Sequence, residues 1–100
     1  MEQKYVSIKD LPPGRMAAVN EDGKEVLVVN SGGVFFAIGN ICTHRGCRLS
    51  NGTLAGESIR CSCHGSTFSV RTGEVIKGPA ARPEPVYKIV YESGDVRVVI

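Results

Sequence analysis

The sequence has no long apolar run. Nothing in it approaches the roughly 18 apolar residues that a bilayer-spanning helix needs, and no apolar signal core stands behind Met1-Glu2-Gln3-Lys4. A soluble, cytoplasmic chain without a membrane anchor is therefore expected. Net charge is only +2 and aromatics make up 6% of the chain. That combination argues against a nucleic-acid partner, which calls for a strong basic face with stacking residues. No stretch shows the periodicity of an amphipathic helix, and there is no internal repeat or low-complexity tract. Histidine is scarce as well. The chain holds two, and His44 follows Cys42 by two residues while His64 follows Cys61 by three.

What is present is a series of short β-prone runs cut by turn residues. One hundred residues make one small domain. Tyr5 to Ile8, Arg15 to Asn20, Glu25 to Val29 and Val34 to Ile38 read as strands, the last apolar enough to be central. Glu21-Asp22-Gly23 is a hairpin signal, Asn30-Ser31-Gly32-Gly33 is a turn, and Leu54 to Gly56 reads as another. Ser58 to Cys61 and Thr67 to Val70 read as strands on either side of a loop. Gly78 to Pro85, with three prolines, cannot be regular. Val86 to Tyr91 and Asp95 to Ile100 form a last hairpin around Ser93-Gly94. Short strands with frequent glycine turns argue an all-β sandwich or barrel.

All four cysteines and both histidines fall in two runs, Cys42-Thr43-His44-Arg45-Gly46-Cys47 and Cys61-Ser62-Cys63-His64-Gly65-Ser66. A metal site is the natural reading, built by two loops whose glycines, Gly46 and Gly65, allow tight turns. Three kinds of site use such residues. Structural zinc takes Cys and His, but the Cys-x-x-Cys knuckle usual in fingers and ribbons is absent. A c-type haem needs Cys-x-x-Cys-His, and Cys61-Ser62-Cys63-His64 is one residue short. A two-iron, two-sulfide cluster with mixed ligands uses two cysteines and two histidines, the histidines replacing cysteine on one iron.

The runs Cys42-Thr43-His44 and Cys61-x-x-His64-Gly65 resemble the two cluster loops of Rieske proteins, and the flanking sequence is similar to small Rieske-type ferredoxins over essentially the whole chain. The resemblance implies one [2Fe–2S] cluster, with Cys42 and Cys61 on a buried iron and His44 and His64 on an outer one. It implies a Rieske-type antiparallel base, residues 1–40 and 70–100, with an inserted two-loop cluster-binding subdomain at 41–69. Cys47 and Cys63 match cysteines that Rieske proteins of cytochrome bc complexes join in a disulfide and dioxygenase-type ferredoxins usually lack. A disulfide between them is expected on that ground. Intracellular disulfides are rare, so the bridge would be shielded between the loops, or the organism would be one of the exceptions.

The same resemblance gives roles to neighbours. Ser66 matches a serine that donates a hydrogen bond to a bridging sulfide; as a plain residue it would be a turn serine. Phe68 stands where bc-type relatives carry a tyrosine that hydrogen-bonds a cysteine sulfur. It lacks the donor, so it should pack as core and leave the potential below that of the full bc-type set. Gly78-Pro79-Ala80 resembles the proline loop that covers the cluster. Arg45 replaces an apolar residue that docks at a quinol site in bc complexes, which argues against quinol oxidation.

Residues 42–82 hold six basic residues against Glu57 and Glu74, a balance of +4, and the remainder balances at −2. A basic pole would attract an acidic docking face. The function expected is a monomeric one-electron carrier, not an enzyme in itself, between a reductase and an oxidase or oxygenase. The alternative is the small electron-transfer subunit of a larger redox enzyme of the nitrite reductase or arsenite oxidase type. A zinc-stabilised binding module is a third possibility, separable by metal analysis.

Overall fold

The computed structural model describes residues 4–43, 46–63 and 65–100. The described residues form ten strands: β1 (Tyr5–Ile8), β2 (Met16–Glu21), β3 (Lys24–Ser31), β4 (Val34–Gly39), β5 (Thr53–Ala55), β6 (Ser58–Arg60), β7 (Thr67–Ser69), β8 (Val75–Lys77), β9 (Val86–Glu92) and β10 (Asp95–Val99). All pairings are antiparallel. Six strands form one sheet in the order β1-β10-β9-β4-β3-β2, and four form a smaller sheet in the order β5-β6-β7-β8. This is the all-β architecture expected from the alternation of β-branched runs and turns. Among the described residues no helix is long and apolar enough to cross a membrane.

The hairpin turns follow from local chemistry. Asp22 and Gly23 have φ of 51° and 79°, and Ser93 and Gly94 have 49° and 78°. Two positive φ angles in succession give the turn whose twist matches that of its flanking strands.

The large sheet has two three-stranded halves, the β2-β3-β4 meander and β9-β10 with β1 added at its edge, joined at a short seam where Ala37 pairs with Tyr87 and Ile38 with Val86. Strand β3 explains how the layers stack. Val26, Leu27, Val28 and Val29 are all fully buried, because alternate side chains of a strand leave opposite faces and here both faces are covered. Val26 and Val28 join Ala37 and Val98 in one apolar cluster. Leu27 and Val29 join Ile38, Leu49, Ile59, Phe68, Val70, Ala80 and two cysteines, Cys42 and Cys61, in the other.

The second cluster fills the space between the two sheets. Across the small sheet Leu54 pairs with Ile59, Ile59 with Phe68, and Phe68 with Val75. This apolar row packs against the large sheet. Directly opposed side chains of this kind are what stabilise short strands.

Several elements differ from expectation. The turn expected at Leu54 to Gly56 is strand β5, with the reversal following at Gly56 (φ 60°). Its strand character comes from pairing with β6 rather than from its own sequence. Strand β8 and a 3₁₀ turn at Leu49–Asn51 had no counterpart in the sequence reading. Because β8 is the fourth strand of the small sheet, that sheet runs to Lys77, past the boundary drawn between 69 and 70. Gly78 to Pro85 is irregular throughout.

Candidate metal centre

Two loops project from the apolar cluster between the sheets, and they are built alike. The first is closed by an antiparallel bridge between Ile41 and Arg48, the second by the Arg60–Thr67 pair of β6 and β7. In the first, the Cys42 N–H donates to Cys47 O (2.7 Å) and the Gly46 N–H donates to Cys42 O (2.9 Å). In the second, the Cys61 N–H donates to Ser66 O (2.7 Å) and the Gly65 N–H donates to Cys61 O (3.1 Å). Each loop is thus a six-residue turn opened by a cysteine, with a glycine at the fifth position. Gly46 has φ of 76° and Gly65 of 79°, a left-handed conformation that explains glycine at both places.

The matched frames put the two leading cysteines in equivalent positions. Cys42 and Cys61 are each 2% exposed and belong to the core cluster with Leu49, Ile59 and Phe68. The opposite ends of the loops face outward, with Gly46, Ser62 and Cys63 exposed. Cys47 and Cys63 form a disulfide that ties the loops together, with Cα atoms 6.5 Å apart. Cys47 is half-buried and Cys63 exposed. His44, Arg45 and His64 lie outside the described residues.

The Sγ atoms of Cys47, Cys61 and Cys63 lie within 4.8 Å of one another. Two of these are consumed in the disulfide, and a disulfide sulfur is not a thiolate, the form that binds metal. The trio therefore offers a metal one ligand rather than three, and does not make a zinc site.

Matching family and relatives accompany this geometry. The family model for the Rieske [2Fe–2S] domain matches residues 2–91. The chain belongs to the Rieske family. It is 41% identical over 96 residues to the biphenyl dioxygenase ferredoxin subunit of Pseudomonas sp. strain KKS102, covering 95% of this chain and 88% of that one. The ferredoxin of carbazole 1,9a-dioxygenase from Nocardioides aromaticivorans IC177 superposes with a TM-score of 0.88 at 33% identity, covering 98% of this chain and 97% of that one. A chain in a complex of reduced oxygenase and oxidised ferredoxin in carbazole 1,9a-dioxygenase superposes with a TM-score of 0.89 at 35% identity, covering 96% and 91%.

A Rieske domain carries one [2Fe–2S] cluster, and the described residues suit one. Cys42 and Cys61 supply two buried sulfurs outside the disulfide. Ser66 is fully buried, and its Oγ accepts the Ala80 N–H at 2.9 Å. The hydroxyl proton itself has no acceptor among the described residues. A buried donor in that state needs a partner, and a sulfide would provide one. Phe68 is fully buried with the cysteines and acts as core. Pro79 is exposed, follows a cis Gly78–Pro79 bond, and precedes the buried Ala80 that grips Ser66.

Sequence reasoning missed the residues that hold the first loop. Asn40 is fully buried; its Oδ1 accepts the Ser50 N–H (2.8 Å) and its Nδ2 donates to Ser50 Oγ (3.1 Å), pinning the 3₁₀ turn at the loop entrance. Glu84 is 4% exposed. Its Oε2 accepts the Thr43 N–H at 3.1 Å, and Thr43 Oγ1 donates to Arg82 O at 2.7 Å. Burial pushes the Glu84 carboxyl up to about 7 from its ordinary 4.5, against the opposing pull of the Thr43 N–H. A signal for this was in the sequence: a glycine at the end of a strand, Gly39, marks a place where something approaches closely.

The basic pole is partly neutralised. Arg48 pairs with Glu25 at 2.7 Å and Arg71 with Glu57 at 2.8 Å. Arg60, Lys77 and Arg82 are exposed and have no acidic partner among the described residues.

Proposed function

We propose that this Rieske protein is a one-electron carrier that takes electrons from a reductase and delivers them to a terminal oxygenase. Cys42, His44, Cys61 and His64 hold its cluster. The observation that carries the reading is the pair of matched loops, each opening with a core-buried cysteine followed by a histidine. A cluster held by two thiolates and two neutral imidazoles exchanges one electron at a higher potential than one held by four thiolates. The protein's part is to fix the cysteines in the apolar layer, to supply the Ser66 hydroxyl as a donor, and to leave the loop tips open to a partner. Kinship with ferredoxin components of dioxygenase systems supports the carrier role, and a solved complex of such a ferredoxin with its oxygenase supports the class of partner.

The finer parts of the reading concern the partner's surface and the setting. Arg60 and Arg82 stand on residues flanking the second and first loops, so a complementary partner presents acidic groups around its electron-entry site. The carrier acts as a monomer in the cytoplasm. The deciding experiment is a visible and electron-spin-resonance spectrum of the purified protein with iron, sulfide and zinc counts. Two irons and two sulfides per chain with a Rieske-type reduced spectrum are expected. Zinc without iron overturns the reading. Oxidation of the reduced protein by a Rieske oxygenase, slowing as salt is raised, then tests the partner.

A further inference from the structure

The two loops share a hydrogen-bond frame but differ at one peptide. In each, the carbonyl of the leading cysteine accepts a glycine N–H, Cys42 O from Gly46 and Cys61 O from Gly65. A peptide unit is planar, so the same plane carries the N–H of the next residue. In the second loop that residue is the exposed Ser62, whose N–H needs no protein acceptor. In the first loop it is the half-buried Thr43, and its N–H is taken by the buried carboxylate of Glu84 at 3.1 Å. The Cys42–Thr43 peptide is therefore held at both ends, at the carbonyl by Gly46 and at the N–H by Glu84. The Thr43 hydroxyl adds a third tie by donating to Arg82 O.

Glu84 is itself held. Its own N–H donates to Gly73 O (2.8 Å), and the following residue's carbonyl, Pro85 O, accepts the Gly39 N–H (2.9 Å). The side chain reaches the loop only because position 39 is glycine. A Cβ there would lie 2.6 Å from Glu84 Oε1 and 3.0 Å from the Pro85 ring. Strand β4, the 78–85 segment and the first loop thus meet at one carboxyl group.

We propose that Glu84 is a positioning residue for the cluster: by accepting the Thr43 N–H it sets the plane of the Cys42–Thr43 peptide, and so the aim of the Cys42 side chain at its N-terminal end. The inference rests on the ligand reading given above. Acceptance requires only an oxygen lone pair, which a carboxylate, a carboxylic acid and a carboxamide all provide. The role therefore holds whatever the protonation state of Glu84. It is distinct from packing, because a leucine of similar volume fills the space without offering an acceptor.

The test compares Glu84→Gln, Glu84→Leu and Gly39→Ala in the cluster-loaded protein. It reads the rate of cluster loss from the visible absorbance and the g-values of the reduced cluster by electron-spin resonance. Leaving the half-buried Thr43 N–H without its acceptor destabilises the cluster-loaded loop, and where the transition state for cluster release does not share that loss it appears as a rate increase of about fivefold. Glu84→Leu is expected to lose its cluster about fivefold faster than wild type, with shifted or broadened g-values. Glu84→Gln is expected to retain wild-type g-values and cluster lifetime. Gly39→Ala, which displaces the carboxyl group while leaving it in the chain, is expected to behave as Glu84→Leu does, and it carries the test if Glu84→Leu does not fold. Wild-type behaviour in both Glu84→Leu and Gly39→Ala overturns the proposal. So does a Glu84→Gln protein as impaired as Glu84→Leu, since the charge rather than the acceptor would then be what matters. Failure of the ligand reading is separate and shows earlier, as a wild-type protein without iron and sulfide.

Discussion

Ser66 and Ala80 are joined by a buried hydrogen bond in which the Ala80 N–H donates to Ser66 Oγ at 2.9 Å. It ties the second loop to the irregular 78–85 segment, as Glu84 and Arg82 tie the first loop to the same segment a few residues on. Ser66→Ala removes the acceptor of a buried N–H, which costs roughly 1–3 kcal/mol, and it removes the donor we assign to a cluster sulfide. Hydrogen bonds to sulfur favour the more negative, reduced form, so the reduction potential should fall. Voltammetry of the variant beside wild type checks this. An unchanged potential with reduced stability would leave Ser66 a fastening for Ala80 alone.

Phe68 is fully buried in the layer that holds Cys42 and Cys61. Truncation to alanine should destabilise the protein by about 3–5 kcal/mol, as for other large-to-small changes in a packed core. Phe68→Tyr tests the electronic side. A hydroxyl placed beside the cysteines gives a sulfur a new donor and should raise the potential. If denaturation shows Phe68→Tyr folded but the potential does not move, the ring does not approach the ligand sulfurs.

The fold was legible where strand and turn chemistry are local. Runs such as Val26 to Val29, and the Asp22-Gly23 and Ser93-Gly94 turns, announce themselves. Strand β5 did not, because Thr53-Leu54-Ala55 lies between two glycines, and only the Leu54–Ile59 pairing across the sheet makes it a strand. Val75–Lys77 is three residues long, too short for a period-2 pattern to show. The cysteines and histidines stood out because spacing alone marks them. Glu84 did not, since a carboxylate between Pro83 and Pro85 reads as exposed loop. Its burial depends on Gly39 and Thr43, both some forty residues earlier in the chain, and no local pattern carries a contact of that range.

The Cys47–Cys63 disulfide closes a separation of 16 residues between the two loops. In the chain-entropy picture such a link is worth about 3 kcal/mol. Cys47→Ser with Cys63→Ser should shorten the cluster's lifetime while leaving the large sheet intact, because no strand of that sheet lies in the linked segment. Thiol titration of the denatured, cluster-free wild type without reductant should find two free thiols. Four would show that the bridge does not form in the protein.

The imidazoles of His44 and His64 should make the potential pH-dependent. Oxidised iron acidifies the proton on the nitrogen it does not bind more strongly than reduced iron does. At low pH both states are protonated and the potential is flat. Above the oxidised-state pKa, reduction takes up a proton and the potential falls, approaching about 59 mV per pH unit for one proton per electron. Phe68 should keep the low-pH plateau within the roughly −150 to +300 mV Rieske range but below its top. Voltammetry from neutral to strongly alkaline pH checks both, and a flat line would remove the histidines from the ligand set.

Glu84 should give stability a separate pH dependence. Its folded pKa is raised to about 7 from 4.5 by burial. Between those values the native state holds a proton that the unfolded chain has released. A raised pKa contributes stability that is complete below about 4.5 and lost as pH climbs through about 7. Wild-type stability should therefore decline over that window, by up to about 3 kcal/mol if the full shift is realised. Glu84→Gln is neutral in both states and lacks this contribution, so the stability of Glu84→Gln relative to wild type should grow from pH 4.5 to pH 7 and level off above. Denaturant midpoints of both proteins at pH 4.5, 6 and 8 measure it. Two surface carboxylates set a contrast. Glu57 and Asp95 are held below their ordinary range by Arg71 and by Ser7 with Arg97 respectively, so any dependence from them appears at lower pH and with the opposite sign. A difference between the two proteins that shrinks from pH 4.5 to pH 8, or stays constant, would mean that the Glu84 carboxyl titrates as an ordinary solvated group.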